Sequence, residues 1–553
     1  MKLLPATLVS MGLLSLACSS SDEPAAPKSP PVELVASFTL LAGSENKALA
    51  DIFDRVAAQN GTTIKVNYQG SVDIGNTLRT GTVDADAVLP ASSFWLQVAD
   101  TKKVVKDATS IARSPVILGV KRSVIERLGW TGKSDIHIAD ILSAAESGKL
   151  RFGMTSPLQS NSGAVAYFGI LSANAGSPEV LLSANLEDKG VQDRTQRLLK
   201  TVNRSTHSSG FLKDLVVADD GRLDAMFNYE SLVIEANQAL VAAGKEPLMA
   251  VYPVDGMSIA DFPLGCVDHG NDKATTFCHA LQAYLLSDAG QKEIEALGRR
   301  TGLGLAAKFP DATVFNPAWG IQPDLTITPV TMPTADVAQQ ALDLYSTLRK
   351  PSFKVYVVDV SNSMSKTDDG QNDSRENLMK AAMENVLVPE LARTYGFPPA
   401  SRDVTVVIPF SVTPRDPLRV DGNGADELRM LAQRVKDEPL DGGTCLYTVT
   451  VKAMQYFEDY AAQHPDPKDP LNLTNYSRAI ILMTDGEPTD SDQRPIFTSY
   501  VQAHPAFAEG LPVYAVQFGE AREDVLKELA MGGKVFDGTK NLSDAIRQAN
   551  GNN

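Results

Sequence analysis

Short apolar runs alternate with segments of helical period from the first ordered-looking stretch onward. Ser37-Phe38-Thr39-Leu40-Leu41-Ala42-Gly43 reads as a strand, and Ser44-Glu45 then opens an amphipathic helix through Ala58, with Ser44 as its N-cap. Thr63-Ile64-Lys65-Val66-Asn67-Tyr68 is the next strand, and Gln69-Gly70-Ser71 turns again into a helix. A third strand over 84–89 ends at Pro90-Ala91-Ser92-Ser93. Strand alternating with helix implies a parallel sheet with crossover helices. Each strand end delivers a serine to a helix N-terminus, where hydroxyls and backbone N–H groups suit an anion or polar ligand.

Further on, Phe152-Gly153-Met154-Thr155-Ser156-Pro157 leads to Ser160-Asn161-Ser162-Gly163 and an alanine-rich helix. Other motifs are Tyr68-Gln69-Gly70-Ser71, Gly81-Thr82-Val83-Asp84-Ala85-Asp86-Ala87 and a hinge-like Ala112-Arg113-Ser114-Pro115-Val116-Ile117-Leu118-Gly119-Val120. Asn228-Tyr229-Glu230-Ser231 and Leu286-Ser287-Asp288-Ala289-Gly290-Gln291 follow. Together they resemble the periplasmic solute-binding proteins, type 2, with the phosphate- and molybdate-type two-lobe fold. The resemblance implies a domain over 35–305 whose lobes close on a ligand about a hinge. One lobe would hold residues near 35–115 plus 245–305, and the other the insertion between. It also implies a small polar or anionic solute, with Ser44, Ser71, Ser93, Ser156, Asn161, Ser162 and Tyr229 as contacts. Any one of the serines reads equally as a helix cap; only the set reads as a pocket. The Asp/Arg pattern of a dedicated phosphate binder is absent, so the ligand stays open.

A proline-rich connection over 306–350 interrupts regular structure, and its later part, 335–348, regains helical spacing. The alternation then resumes over 351–553. Strands are expected at 353–358, 403–410, 478–487 (with an acidic end) and 511–519. Helices are expected at 376–391, 428–436, from about 446 to 461, and near 543–550. This is the pattern of a doubly wound, Rossmann-like α/β domain, so the fold class is α/β in both parts.

Three of its loops carry oxygen donors. Asp359-Val360-Ser361-Asn362-Ser363 follows the first strand, Gly442-Gly443-Thr444 forms a turn, and Thr484-Asp485-Gly486 ends another strand. In open α/β sheets, ligands sit beyond these carboxyl ends. The segments and their order resemble the metal-ion-dependent adhesion site (MIDAS) of von Willebrand factor A domains. The resemblance implies that Asp359, Ser361, Ser363, Thr444 and Asp485 hold Mg²⁺, or Mn²⁺ or Ca²⁺, since oxygen ligands accept all three. It implies too that one coordination position is left for an acidic side chain of a protein partner, as in adhesion. Asp368-Asp369-Gly370-Gln371-Asn372-Asp373 has a calcium-loop look but no Glu at the twelfth loop position, and reads as a solvated loop.

With 553 residues, the chain exceeds one core. Its formal charge of -16 and lack of a basic run argue against nucleic acid as a partner. The apolar stretch from Met1 to Ala17 is too short for an ordinary membrane-spanning helix and reads as a secretory signal. Leu14-Ser15-Leu16-Ala17-Cys18 resembles a bacterial lipobox with Cys18 as the lipidated residue, making 1–18 a lipoprotein signal peptide and 19–34 a polar tether. The resulting expectation is a cell-envelope protein, periplasmic or on the cell surface, bound to the membrane by its lipid alone. Cys266 and Cys278 are read as a disulfide. A zinc site with His269 and His279 is the alternative, though adjacent ligands seldom reach one tetrahedral ion. Cys445 is left as a buried thiol. Six histidines fall in no His-Glu-x-x-His, and neither Gly-x-Ser-x-Gly nor a Walker pattern occurs, so no enzyme activity is expected. The sequence thus points to a tethered binding protein, with the substrate-binding receptor of an ABC transporter as the alternative.

Overall fold

The computed structural model describes residues 35–218, 221–326, 328–505, 510–531 and 533–551. The segments expected to be a signal peptide, 1–18 with Cys18, and a tether, 19–34, lie outside them. The fold class is α/β in both parts, as the sequence pattern implies.

The N-terminal unit is built on two sheets. The first runs in the order Thr63–Gln69, Ser37–Gly43, Ala87–Leu89, Pro263–Val267 and Val105–Ser110. Its first three strands are parallel, and Pro263–Val267 enters antiparallel to both neighbours. The second sheet runs Ile259–Ala260, Ser114–Lys121, Ala225–Tyr229, Phe152–Thr155 and Arg204–Thr206, with Leu248–Val251 also paired to Ser114–Lys121. The chain therefore returns to the first lobe after residue 260, not near 245. Residues 248–260 complete the second lobe because both of their short strands add to Ser114–Lys121.

The connection over 306–350 is no free linker. Leu305–Ala306 pairs with Asp324–Leu325, and Phe315, Trp319 and Ile321 pack with Ile234. Arg300 fixes this turn of chain. Its guanidinium donates to Glu230 Oε1 (2.7 Å) and Oε2 (2.9 Å), and also to the carbonyls of Leu305, Gln322 and Pro323. A buried charge is tolerated only when so fully paired. Helix Ala335–Leu348 then lies against the second lobe, with the Tyr345 and Tyr167 rings edge to face at 5.3 Å.

The C-terminal sheet has the order Leu418–Asp421, Val404–Phe410, Ser352–Asp359, Ser477–Thr484, Val513–Gln517 and Val535–Asp537. All neighbours are parallel except the edge strand Leu418–Asp421. Strand Ser352–Asp359 is central, and alternation sends its side chains to two cores. Phe353, Val355 and Val357 face helix Leu446–Gln463, while Tyr356 and Val358 join Met379, Met383 and Ile546. The helix expected over 376–391 is two, Arg375–Leu387 and Pro389–Thr394. Pro389 has no N–H to continue the ladder and begins the second helix instead.

This domain touches both lobes. Arg547 pairs with Asp73 of the first lobe at 2.6 Å, and its carbonyl accepts from Gln159 of the second at 3.5 Å. Phe536 meets the rings of His207 and Phe211 on the second lobe.

Cys266 and Cys278 form a disulfide joining strand Pro263–Val267 to helix Asp272–Leu286. His269 Nε2 lies 2.9 Å from the Ala85 carbonyl and His279 Nε2 lies 3.0 Å from Asp107, so neither imidazole faces the sulfurs as a zinc ligand would. Replacing both cysteines by serine should lower the unfolding free energy of the N-terminal unit by about 2–4 kcal/mol. Differential scanning calorimetry should show its transition falling while that of the C-terminal domain stays in place.

Candidate functional site

At the carboxyl end of the C-terminal sheet, three loops meet. Strand Ser352–Asp359 ends in Asp359, whose Oδ1 accepts from Ser361 N (2.8 Å) and whose Oδ2 accepts from Thr484 Oγ1 (2.6 Å). Ser361 and Ser363 hydroxyls are 2.9 Å apart, and Ser363 Oγ donates to Asp485 Oδ1 (2.8 Å). Thr444 is brought in by a turn at Gly442, which takes the left-handed φ of +52° that glycine adopts without strain. Its N–H donates to Thr489 Oγ1 (2.8 Å). Asp490 accepts from Thr448 N (2.9 Å) at the start of the following helix. The loop after Ser477–Thr484 therefore holds the threonine turn in position.

Gly486 leaves the space between them. A Cβ there would stand 3.3 Å from Thr444 Oγ1 and 3.4 Å from Ser363 Oγ, so both hydroxyls face the same small volume. Asp359, Ser361, Ser363, Thr444 and Asp485 are thus brought together. Their donor set is two carboxylates and three hydroxyls, all hard oxygens, which fits a hard divalent cation with room for water. Among the described residues no group of three or more His, Cys, Asp or Glu could hold a metal, so the hydroxyls are indispensable to such a site.

Arg375 and Thr484 also belong here, and sequence reasoning assigned neither a role. Arg375 Nη1 donates to Asp485 Oδ2 (2.8 Å) and its Nε to Asp368 Oδ1 (2.9 Å). The Asp368 loop therefore serves as a brace for the arginine behind the site. Burial pushes the Asp359 carboxyl up to about 6. Hydrogen bonds from Ser361 and Thr484 oppose the rise, and the neighbouring Asp485 adds to it.

The seven residues expected to line the interlobe cleft divide. Ser44, Ser71, Asn161, Ser162 and Tyr229 are buried at the junction of the lobes. Trp95 of the first lobe donates to Asn161 Oδ1 (2.8 Å), and Asn161 Nδ2 donates to the Tyr229 hydroxyl (2.9 Å). Ser162 Oγ lies 2.8 Å from Thr155 Oγ1. Ser71 Oγ accepts from Ala91 N (2.9 Å). Ser44 is not an N-cap: Gly43 holds that position, a 3₁₀ turn over Ser44–Leu49 precedes helix Ala50–Gln59, and the Ser44 hydroxyl has no hydrogen-bond partner.

Ser93 and Ser156 lie elsewhere. Ser93 borders a separate cavity with Arg113 and Asp261, its N–H donating to Asp261 Oδ1 (2.7 Å). Ser156 faces the joint with the C-terminal domain, beside Gln159, Lys354 and Asn550.

The centre of the junction is Glu45, which sequence reading took only as an opening helix residue. Its carboxylate oxygens lie 3.4 Å from Ser71 Oγ and 3.3 Å from Ser209 Oγ, one hydroxyl from each lobe. Its carbonyl accepts from Arg299 Nη2 (2.5 Å). Ser209 begins helix Ser209–Ala218 after strand Arg204–Thr206, so the strand-to-helix serine pattern would have found it.

Residues 38–300 match the family model for bacterial extracellular solute-binding proteins, and residues 355–487 match that for the von Willebrand factor type A domain. The chain joins a bacterial extracellular solute-binding domain to a von Willebrand factor type A domain. No curated protein matches it. Among solved structures, the solute-binding domain is similar to the sulfate-binding protein SubI from Mycobacterium tuberculosis. The identity is 18%, over 56% of this chain and 98% of that one, with a TM-score of 0.38. It is similar also to iron-bound HitA from Pseudomonas aeruginosa, at 15% identity over 56% and 98% of the two chains and a TM-score of 0.39. The ferric binding protein from Campylobacter jejuni gives 13%, 56%, 98% and 0.41. The extracellular description of the matched family is in keeping with an extracytoplasmic location. Among the described residues no helix is long and apolar enough to cross a membrane.

Burial raises the Glu45 carboxyl from 4.5 to about 7, against hydrogen bonds from its own backbone, Ser209 and Ser71 and the charge of Arg299. The folded solute-binding domain therefore holds this proton more tightly than the unfolded chain. Its contribution to stability is full below pH 4.5, falls as pH rises, and is lost above about 7. Across that window the loss is about 3 kcal/mol. Glu45→Gln, which cannot ionise, should melt higher than wild type at pH 8 and close to it at pH 5. Equal gaps at the two pH values would contradict this.

Proposed function

We propose that this protein is an extracytoplasmic binding protein, lipid-anchored at Cys18, whose A domain holds a divalent cation for recognition of a protein partner. Its solute-binding domain takes a small polar or anionic solute in the interlobe cleft. The observation that carries the reading is the convergence of the Ser361, Ser363 and Thr444 hydroxyls with Asp359 and Asp485 around the space beside Gly486. Bound there, Mg²⁺, Mn²⁺ or Ca²⁺ would supply a Lewis-acidic charge for an oxygen of the partner.

Each protein group has a task in this reading. Asp359 and Asp485 balance charge, the hydroxyls act as neutral ligands, and Thr484 and Arg375 fix the carboxylates from behind. An acidic side chain on the partner supplies the remaining oxygen. The hydroxyls and carboxylates of the site are tied to one another as a ligand set, so recognition through a bound ion suits the site better than turnover. The alternative, a receptor delivering solute to an ABC permease, draws on the solute-binding domain alone and leaves the A-domain oxygens without a task.

Isothermal titration of the full chain with Mg²⁺ and with Mn²⁺ should give one site, absent in Asp359→Ala. Thr484→Val should retain the site with affinity lowered about 10–100-fold, as for other groups that orient metal ligands. Capture of a partner from envelope extract should require the ion and be lost in Asp359→Ala. Capture that persists both in EDTA and in the variant would sink the proposal.

A further inference from the structure

The interlobe cleft contains a feature that the solute-binding reading does not itself require. Ser71, one of the groups expected to meet a solute, already hydrogen-bonds a carboxyl group, and that group belongs to the chain. Glu45 projects from the 3₁₀ turn after the first strand, where Gly43 gives it room: a Cβ on Gly43 would stand 2.0 Å from Glu45 Oε1. One oxygen faces Ser71 and the other faces Ser209. Each serine is the first residue of a ten-residue helix, one in each lobe, so two helix N-termini converge on the carboxyl group from opposite sides.

The surroundings have unused polar capacity. Ser44 Oγ, Asn46 Oδ1 and Arg299 Nε are buried without hydrogen-bond partners. Unpaired polar atoms in the interior are costly, and a cluster of them marks a place shaped for something more than packing. Arg299 is wholly buried, and its charge acts on the Glu45 carboxyl.

We propose that the interlobe cleft is a monocarboxylate site that the chain fills with its own Glu45 side chain, so that a free carboxylate enters only by displacing it. This rests on the reading of the cleft as the solute site and names the chemical class of its ligand. The lobes close on the tethered carboxyl group as they would on a solute. Gly70 approaches the Gln159 carbonyl so nearly that a Cβ would lie 2.1 Å from it, and the Trp95–Asn161 hydrogen bond spans the same junction. The Glu45 side chain thus acts as an internal competitor, and the apparent affinity for any free solute is reduced by the fraction of time Glu45 is in place.

The test is chemical complementation in the full chain. Glu45→Ala removes Cγ and the carboxyl group, the heavy atoms of one acetate ion. At pH 5, where a carboxyl group in this cleft is held protonated, acetate should raise the melting temperature of Glu45→Ala by several degrees and saturate, whereas chloride at equal ionic strength should not. Wild type and Glu45→Gln should not respond to acetate at the same concentrations. A response to sulfate but not to acetate in Glu45→Ala would overturn the carboxylate assignment while leaving the cleft as a solute site. No response to either anion in the folded variant would overturn both. Saturable acetate binding by wild type with the affinity of Glu45→Ala would overturn the role of Glu45 as occupant. Should Glu45→Ala fold poorly, its refolding yield in acetate against chloride reads the same interaction, and equal yields would count against the proposal.

Discussion

A carboxylate taken out of water must be neutralised, paired or surrounded by donors, and the architecture of this protein follows how each of its buried acids meets that requirement. Glu230 meets it with Arg300, whose remaining N–H groups tie down the chain over 305–323. Asp485 meets it with Arg375. Asp359 and Glu45 have no guanidinium against the carboxylate and are held by hydroxyl and backbone donors instead. The division is informative. The arginine-paired acids are already balanced in charge, whereas the two served chiefly by hydroxyls stand where added charge, a cation in one case and a proton in the other, would relieve them.

The same logic links the domains. Arg547, near the end of the last helix, reaches Asp73 at the start of the helix that also presents Ser71 to the cleft. Arg349 leaves helix Ala335–Leu348 and pairs with Asp403 at the base of the A-domain sheet. The A domain is therefore braced on the first lobe by one partly buried ion pair and on the connecting helix by another, and such pairs are costly to break one partner at a time. The contacts at Asp73 and Gln159 place the A domain against both lobes beside the cleft.

Much of the fold was legible because its strands are buried on both faces and end in turn chemistry. Val355 to Asp359 reads as a strand for the reason that it becomes the centre of the sheet. The A-domain oxygens were legible because each follows an apolar strand or glycine turn. Arg375 was not, since its part depends on a helix crossing behind the site, a tertiary fact without a local signature. The chain over 309–333 misled: its prolines exclude regular structure, but Phe315, Trp319 and Ile321 still supply an apolar face that packs. Glu45 was missed because an acid in a first helical turn has an ordinary explanation in the helix dipole. Ser93 and Ser156 share the sequence context of Ser71, and only their tertiary surroundings, a separate cavity and the joint with the C-terminal domain, set them apart from it.

Cys445 sits one residue beyond Thr444, buried, with its thiol pushed up to about 12 chiefly by burial and further by the charge of Asp490. A thiol in that state is nearly inert towards oxidants and alkylating reagents while the turn is closed. Its labelling rate is therefore set by how often the turn over 441–446 opens, in the way that amide exchange reports local unfolding. The protein carries, one residue from a candidate metal ligand, an intrinsic chemical clock for the motion of that loop.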